Sequence, residues 1–408
     1  MGSSPSLSQR AHAMPASPIR RLAPHAVEAR RSGKTVYALN IGQPDIPTPS
    51  AVLDRLRSFS ERNVAYGPSQ GLPEFVEVLR DYYRRAGIPA STEDIFVTVG
   101  GSEAILFVLS AVADPGDEAI VFEPFYTNYN GFAALAGVRL VPVTTRAEDG
   151  YHLPDRRAVE AKIGPRTRAI LVCSPNNPTG TVYTDAEMEM LASVARDRGL
   201  FLVCDEVYRE FAYDGRRQRS VLTLEGIEDR AVMVDSLSKR ISVCGIRVGN
   251  VVCRNRELMA SILKFGQARL CPPTLGQFAA SALGDVPPSY IEGVIREYQR
   301  RRDVVFEALA RAPGVMVRKP EGAFYLCARL PIDDAERFSI FLLRDFSVDG
   351  ETVMLAPADG FYATPGLGRD EVRIAYVLEE AKLTRAMDIL GAALLAYPER
   401  VVEALPGR

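Results

Sequence analysis

A lysine preceded by two serines and followed by an arginine is the most reactive pattern in the chain. Ser236 and Ser238 precede Lys239, and Arg247 follows the lysine by eight residues. A lysine amine can form a Schiff base with an aldehyde, while hydroxyl groups and a guanidinium can hold a phosphate. The usual fate of a lysine is full solvation, but the apolar residues on both sides of this segment argue against full exposure. The pattern predicts a site that binds an aldehyde and an anion together.

A second candidate anion site is the turn Gly100-Gly101-Ser102, which separates an expected strand from an expected helix. Backbone N–H groups at a helix start, together with the helix dipole, favour a phosphate there. Ser102 can add a hydroxyl group. The alternative is an ordinary turn without a ligand. The spacing fits neither the dinucleotide-binding motif nor the P-loop, which argues against both of these nucleotide-binding classes.

Two further polar segments follow expected strands. An Asn-Pro-Thr-Gly segment at 177–180 follows one strand, and Asp205 closes another, three residues before Tyr208. Ligands of open α/β sheets bind at the carboxyl ends of the strands, where a buried carboxylate is costly unless it is paired. The alternatives are a proline-containing turn for the first segment and a helix-capping aspartate for the second.

The elements that must position these residues alternate between helix and strand from about residue 72. Near-continuous apolar runs, such as those at 169–173, 200–204 and 231–234, predict strands that are buried on both faces. This alternation predicts an α/β fold with a mostly parallel, mixed sheet covered by helices on both faces. After residue 290 a long polar helix and short strands predict a smaller α+β domain.

These patterns divide the chain into three parts. A large domain is predicted at 56–289, and a small domain is predicted to combine 35–55 with 290–408, from both chain ends. The stretch 1–34 starts with residues rich in Ser, Ala and Pro that lack periodicity, so it is predicted to be a disordered leader. Within it, Met14 is a possible natural start, and whether residues 1–13 are biological stays open.

The composition argues against several classes of protein. The 408 residues carry 49 basic and 51 acidic side chains, a net charge of −2, which argues against a generally basic nucleic-acid-binding protein. No apolar run reaches the ~18–20 residues of a membrane-spanning helix. Six cysteines without a CxxC pair are typical of reduced thiols in the cytoplasm. Three scattered histidines give no basis for a metal site.

Taken together, the motifs resemble those of the fold-type I pyridoxal-phosphate aminotransferases, and most closely the class I/II group that includes aspartate aminotransferase. The resemblance covers nearly all of the chain after about residue 35, and its motifs are specific in combination. The matching residues follow the family's order and rough spacing: Tyr66 with Gly71, Gly100-Gly101-Ser102, Asn177 to Gly180, Asp205 with Tyr208, Ser236, Ser238 and Lys239, Arg247, and Arg373.

The resemblance implies catalytic roles for three residues. Lys239 is expected to form the Schiff base with the cofactor and later to carry protons. Asp205 is expected to pair with the pyridinium nitrogen and keep it protonated, so that the heterocycle accepts electrons. Tyr208 is expected to hydrogen-bond the phenolic oxygen of the cofactor together with Asn177. The large domain at 56–289 is then the cofactor-binding domain.

The resemblance also implies binding roles. Arg373 is expected to clamp the substrate α-carboxylate through two hydrogen bonds, with Gly42 and Asn177 lining the same site. Tyr126 is expected to stack on the cofactor ring, where many relatives have a tryptophan that this chain lacks. No metal is expected. The residues expected around the phosphate are Gly100, Gly101, Ser102, Ser236, Ser238, Arg247 and, from the second subunit of a homodimer, Tyr66.

The implied function is transfer of an amino group from an L-amino acid to a 2-oxo acid by a ping-pong cycle, in a cytoplasmic homodimer without nucleic-acid or membrane partners. One alternative keeps the cofactor but changes the reaction to β- or γ-elimination, cyclisation of S-adenosylmethionine, or amino-acid oxidation in a biosynthetic pathway. A DNA-binding regulator that senses the cofactor is a third class, but roughly 35 residues before the match are too few for a DNA-binding domain.

The motifs do not determine which amino-acid side chain the enzyme accepts in its substrate. Some relatives that prefer dicarboxylates have a lysine directly after the Gly-Gly pair, where this chain has Ser102. Arg269 is a candidate cation for a second substrate carboxylate, within its own subunit or in the neighbouring one.

Overall fold

The computed structural model describes residues 5–401. Its strands, numbered along the chain, are β1 Thr35–Ala38, β2 Ile95–Thr98, β3 Glu118–Glu123, β4 Arg139–Thr144, β5 Thr167–Cys173, β6 Phe201–Asp205, β7 Ala231–Ser236, β8 Gly249–Cys253, β9 Met316–Val317, β10 Tyr325–Arg329, β11 Glu351–Met354, β12 Ala356–Pro357 and β13 Glu371–Ala375. Its α-helices are α1 Gln9–Ala13, α2 Ala23–Arg31, α3 Ser50–Arg57, α4 Pro73–Arg85, α5 Gly100–Val112, α6 Asn128–Ala136, α7 Arg156–Glu160, α8 Asp185–Arg198, α9 Leu237–Arg240, α10 Arg256–Arg269, α11 Thr274–Ala280, α12 Pro288–Arg311, α13 Ala335–Arg344 and α14 Glu380–Ala396. The short 3-10 helices are Thr92–Asp94, Ala147–Asp149, Val221–Thr223, Cys244–Ile246, Ser281–Asp285 and Asp359–Phe361.

A seven-stranded sheet forms the centre of the molecule, with the strand order β2-β8-β7-β6-β5-β3-β4. Strand β8 pairs antiparallel with both of its neighbours, and the remaining pairs are parallel. The parallel strands have their carboxyl ends at one edge, so the residues that follow β5, β6 and β7 meet there. The predicted α/β fold with a mixed, mostly parallel sheet is confirmed.

Two apolar cores lie on opposite faces of this sheet. Alternate residues of β5 divide between them, with Leu171 and Cys173 in one core and Ile170 and Val172 in the other. Successive side chains of a strand point to opposite faces, and a strand covered by helices on both sides has to be apolar at every position. This explains why the strands of the sheet are continuous apolar runs.

The C-terminal part contains a separate antiparallel sheet with the order β12-β13-β10-β9. Strand β1 from the N-terminal part pairs in parallel with β11, in the register Thr35 to Glu351 through Ala38 to Met354. An early strand therefore lies beside late ones, as the sequence suggests. The division into a large domain at 56–289 and a small domain from 35–55 and 290–408 stays a prediction.

The prediction of a disordered leader is wrong for residues 9–13 and 23–31 of the stretch 1–34. Residues 1–4 lie outside the described residues, but 9–13 and 23–31 form α1 and α2. Leu22 and Ala26 are buried in a small core with Leu343 and Met354. The apolar positions are four residues apart, one helical turn, and are buried by elements more than 300 residues later. Local composition carries no sign of such a long-range contact.

Three properties of the described residues concern long apolar helices, clusters of metal-binding side chains and thiols. No helix within residues 5–401 is both long and apolar enough to cross a bilayer. In the same part of the chain, no group of three or more His, Cys, Asp or Glu side chains is placed to hold a metal ion. The six cysteines are all free thiols, and four of them are buried.

Candidate active site

A cavity of about 650 Å³ lies at the carboxyl ends of the parallel strands. Twelve of the fourteen predicted site residues line it, and the exceptions are Gly100 and Tyr66. The predicted residues that share the cavity are Gly42, Gly101, Ser102, Tyr126, Asn177, Asp205, Tyr208, Ser236, Ser238, Lys239, Arg247 and Arg373. Residues from nearly the whole length of the chain are therefore brought to one place.

Lys239 lies in α9, the short helix that begins directly after β7. Its Nζ donates a hydrogen bond to the Gly42 carbonyl at 2.7 Å and lies 3.8 Å from Cys244 Sγ. Burial lowers the pKa of the Lys239 ammonium, because removing water disfavours the charged form. A larger fraction of the amine is therefore neutral and nucleophilic than for a solvated lysine.

Arg240, the neighbour of Lys239, points away from the cavity. Its Nη2 pairs with Asp235 Oδ2 at 2.8 Å, and both side chains are 1% exposed. The Tyr83 hydroxyl donates to the same carboxylate at 2.9 Å. Consecutive residues of a helix point about 100° apart, which lets one cation serve the site while the next one forms a buried ion pair.

The start of α5 and the segment after β7 form a cradle of hydrogen-bond donors. Ser236 and Ser238 place their hydroxyl oxygens 2.9 Å apart, and Ser102 lies in the first turn of α5, where backbone N–H groups are free of helical partners. Gly100 has a φ of +73°, and a Cβ there would lie 2.5 Å from Arg247 Nη2. Although Gly100 does not line the cavity, only glycine allows the Arg247 guanidinium to approach the helix start.

Asp205 is a buried carboxylate at the end of β6. Tyr129 donates a hydrogen bond to its Oδ2 at 2.8 Å, and the Val207 N–H donates to its Oδ1 at 3.3 Å. Burial raises the pKa of Asp205 to about 6, so the carboxylate is mostly ionised at neutral pH. No basic side chain within residues 5–401 forms a salt bridge with it, so this charge faces the cavity without a cation of the protein.

Arg373 enters the cavity from β13 of the C-terminal sheet and is 1% exposed. Its Nη1 donates to Asn177 Oδ1 at 3.1 Å, and its Nη2 donates to the Asn40 carbonyl. Its Nε is buried and has no hydrogen-bond partner among the described residues. A buried guanidinium with a free donor is suited to binding an anion.

Tyr325 is a central residue of the site that the sequence analysis missed. Its hydroxyl oxygen lies 2.9 Å from that of Tyr208, and its ring lies under the Arg373 guanidinium, with 4.5 Å between the ring centroid and Cζ. A Cβ on Gly42 would lie 1.7 Å from Tyr325 Oη. Tyr325 thus fixes the positions of Tyr208 and Arg373, and Gly42 is required to leave room for it.

We expect Gly42→Ala to lower both stability and activity. Tyr325 is 2% exposed and hydrogen-bonded, so it cannot move aside without cost. Overpacking of this kind costs about 1–3 kcal/mol, and the displaced ring would disturb both Tyr208 and Arg373. Thermal unfolding and kcat/KM measured on the same preparation test the expectation.

Gly391→Ala is the matched control for this substitution. Gly391 lies in α14, and a Cβ there would meet no atom within 4 Å. Alanine favours a helix by up to about 1 kcal/mol over glycine, so this variant is expected to be at least as stable as the wild type. A Gly42→Ala enzyme with unchanged stability and activity would contradict the geometry.

Tyr126 and Tyr66 differ in their placement. Tyr126 lines the cavity, where its hydroxyl accepts a hydrogen bond from Asn128 at 2.8 Å and its ring stands at 84° to that of Tyr129. Tyr66 is 80% exposed and lies outside the cavity of its own chain. A role for Tyr66 at the site would need a second subunit, and that role stays a prediction.

This set of donors fits pyridoxal phosphate. The half-buried amine of Lys239 suits an aldehyde, and the carboxylate of Asp205, which has no cationic partner, suits a protonated pyridine nitrogen. The cradle of hydroxyls, N–H groups and the Arg247 guanidinium suits a phosphate. Each feature is costly or strained without a ligand, since buried unpaired charges and free donors are destabilising.

Comparison with known proteins agrees with this geometry. The model of the aminotransferase class I and II family matches residues 34–390. The aspartate/prephenate aminotransferase of Thermus thermophilus is 33% identical over 95% of this chain and 99% of its own. The arginine–pyruvate transaminase of Pseudomonas aeruginosa is 33% identical over 72% of this chain and 75% of its own. The structure of Thermus thermophilus aspartate aminotransferase with maleate superimposes with a TM-score of 0.87 at 30% identity, over 96% of this chain and 100% of that one. The chain belongs to the aminotransferase class I and II family, which transfers amino groups using pyridoxal phosphate.

Proposed function

We propose that this aminotransferase moves the amino group of an L-amino acid to a 2-oxo acid at the cavity around Lys239, in two half-reactions. The observation that carries the proposal is the convergence of Lys239, Asp205 and Arg373 on one cavity. The amine can hold an aldehyde, the carboxylate can stabilise a protonated heterocycle, and the buried guanidinium can bind a substrate carboxylate.

Pyridoxal phosphate, when bound, supplies an aldehyde that condenses with amines and a heterocycle that accepts the electrons of the Cα–H bond. Asp205 favours the protonated heterocycle, because a negative charge in a water-poor cavity strongly stabilises a nearby cation. The Tyr129 hydroxyl holds this carboxylate in one orientation. The start of α5, the serine hydroxyls at 236 and 238, and Arg247 would hold the cofactor phosphate.

Lys239 has two tasks in this proposal. Its amine would hold the cofactor by condensing with the aldehyde, with loss of water. When freed by the substrate amine, it would accept the proton from the substrate Cα and later give a proton back. Burial lowers the pKa of Lys239, so the amine can accept a proton at neutral pH. A positioned base of this kind is typically worth about 10²–10⁴-fold in rate.

Arg373 orients the substrate by binding its α-carboxylate. The guanidinium is held by Asn177, by the Asn40 carbonyl and by the Tyr325 ring. With its position fixed before substrate arrives, less side-chain entropy is lost on binding. The substrate Cα is thereby kept close to the Lys239 amine.

The names of the relatives leave the amino donor open. Aspartate and prephenate both have a second carboxylate, whereas arginine has a cationic side chain. The direct test incubates the purified holoenzyme with single L-amino acids and 2-oxoglutarate, and it measures glutamate and the new 2-oxo acid by mass spectrometry. We expect equal amounts of the two products. Release of ammonia, or of methylthioadenosine from S-adenosylmethionine, without glutamate would contradict transamination.

We also propose that the enzyme is a homodimer. Helices α3 and α11 pack on each other, and the surface around them contains exposed apolar residues of the kind that dimers bury. These residues are Leu53, Leu56, Val64, Tyr66, Leu270 and Leu275. Light scattering coupled to size exclusion is expected to give twice the mass of one chain, and Tyr66→Phe is expected to weaken cofactor binding while the dimer persists.

A cytoplasmic location is the last part of the proposal. Its support is the state of the cysteines, which are all free, four of them in the core. Thiols stay reduced in the cytoplasm, whereas exported proteins usually pair them.

A further inference from the structure

One buried carboxylate behind the cavity contacts three segments that supply the site. Asp235, the next-to-last residue of β7, is 1% exposed and does not line the cavity. Its oxygens accept hydrogen bonds from the Ser236 N–H at 2.7 Å and from Arg240 Nη2 at 2.8 and 3.0 Å. Arg209 Nη2 donates to the same carboxylate at 3.4 Å. Each donor is a residue of the predicted site or the immediate successor of one.

The segment that contains Lys239 cannot hold its own shape. Helix α9 has four residues, and a helix of one turn does not recover the cost of its own nucleation. The backbone after it is irregular, since Ser242 and Arg247 have φ values of 54° and 56° in the left-handed region. Contacts with other elements must therefore determine where the Lys239 amine points.

Two side chains tie the ends of α9 to β7. At its start, the Ser236 hydroxyl oxygen accepts a hydrogen bond from the Ser238 N–H at 3.2 Å. At its end, the Arg240 guanidinium returns to Asp235, five residues earlier in the chain. Lys239 lies between these two ties, so the ion pair closes the turn that carries the reactive amine.

Helix α4 encloses this ion pair from the other side. The Tyr83 hydroxyl donates to Asp235 Oδ2 at 2.9 Å, and Cζ of Arg240 lies 4.2 Å from the centroid of the Tyr82 ring. Arg209 Nη2 donates to the Tyr82 hydroxyl at 2.9 Å. The two charged side chains therefore have little freedom, and they transmit the position of α4 and β7 to α9.

The charges around Asp235 keep its carboxyl group ionised. Burial acts to raise its pKa, but the nearby charges of Arg240 and Arg209 outweigh burial and hold the pKa of Asp235 below its ordinary value. The ion pair is therefore charged at neutral pH. Removal of one partner of a buried pair leaves the other charge uncompensated in the interior, whereas removal of both does not.

We propose that Asp235 is a positioning residue for the cofactor: paired with Arg240, it fixes α9 so that the Lys239 amine and the serine hydroxyls at 236 and 238 meet the cofactor in one geometry. The inference rests on the role of Lys239 proposed above and adds the pair that positions it. Neither Asp235 nor Arg240 lines the cavity, so both act through the residues that they hold. Small misplacements of reacting groups are costly, about 10²-fold in rate for a shift of about 1 Å.

The test removes both charges at once, in the double variant Asp235→Asn/Arg240→Met, which leaves neither partner stranded. It is expected to raise the Kd of the apoenzyme for pyridoxal phosphate, and to lower kcat at saturating cofactor, each by about 10- to 100-fold. The KM for the amino donor is expected to change less than about threefold, because Arg373 is held by other residues. Arg240→Lys keeps the charge without the planar fork and is expected to give a Kd between those of the wild type and the double variant.

Arg302→Met is the matched control for a purely structural effect. Arg302 is fully buried and pairs with Asp214 at 2.7 Å, outside the cavity lining. This variant is expected to lower the melting temperature of the apoenzyme and to leave the Kd for the cofactor within about threefold of the wild type.

Visible circular dichroism of the bound cofactor is a second readout, independent of turnover. The cofactor is achiral, so its signal arises from asymmetric surroundings that hold it in one orientation, and we expect the double variant to weaken it. A wild-type Kd and an unchanged dichroic signal, in the double variant or, if that does not fold, in Arg240→Lys, would overturn the role of Asp235. A wild-type enzyme that transfers from no amino acid would overturn the proposed function, while the Kd and the dichroism would still decide the role of Asp235.

Discussion

Replacing Lys239 with alanine is expected to lower kcat/KM by at least about 10⁴-fold, the upper end of what a positioned base alone contributes. The substitution removes the covalent bond to the cofactor as well as the amine that moves the proton. No other lysine lines the cavity in the described chain, so no nearby amine can replace it. Steady-state transfer to 2-oxoglutarate measures the loss.

A chemical readout separates this loss from misfolding. Borohydride reduction of the wild-type holoenzyme is expected to fix the cofactor to one peptide that contains Lys239, identified by mass spectrometry. Lys239→Ala is expected to show no such peptide and an unchanged melting temperature of the apoenzyme. Lys264→Ala, which removes an exposed lysine from α10, is the control and is expected to keep both activity and labelling. Cofactor fixed to another lysine in the wild type would overturn the assignment.

The convergence of the site could be predicted because it follows from the sheet. Strands β5, β6 and β7 are parallel neighbours, with Cys173 opposite Asp205 in the register. Asn177, Asp205 and Lys239 all lie at or just after the carboxyl ends of these strands, so their approach is a consequence of topology. Apolar runs predict the strands, and turn residues predict where the strands end. The topology can therefore be inferred from local sequence patterns.

Two residues that reach the site from outside the central sheet, Tyr325 and Tyr129, were not predicted. Tyr325 contacts Tyr208 across a separation of 117 residues, and its ring enters the cavity from the antiparallel C-terminal sheet. Tyr129 donates a hydrogen bond to Asp205 across a separation of 76 residues. The burial of Leu22 depends on the docking of a segment whose composition resembles that of a disordered tail. In each case the deciding contact is long-range, and a pattern over neighbouring residues does not contain it.

The unpaired carboxylate of Asp205 leads to a second large effect. Its ionised form is unfavourable in the cavity, since burial raises its pKa to about 6, and a protonated heterocycle beside it would reverse that shift. We expect Asp205→Asn to lower kcat/KM by about 10²–10³-fold, the usual cost of removing one preorganised electrostatic contact. Asparagine keeps the shape and the oxygen that accepts the Tyr129 hydrogen bond, so the fold is expected to be unchanged.

A cofactor analogue that is methylated on the ring nitrogen distinguishes an electrostatic role of Asp205 from a structural one. The methylated nitrogen is permanently cationic, so it needs no carboxylate to keep a proton. Reconstitution with this analogue is expected to restore part of the activity of Asp205→Asn. The control is Tyr129→Phe, which leaves the carboxylate in place. With the natural cofactor, this variant is expected to lose far less activity than Asp205→Asn. An Asp205→Asn enzyme with more than about a tenth of wild-type activity would show that the buried charge does not stabilise the protonated ring. The raised pKa of Asp205 would then reflect burial of the carboxylate alone.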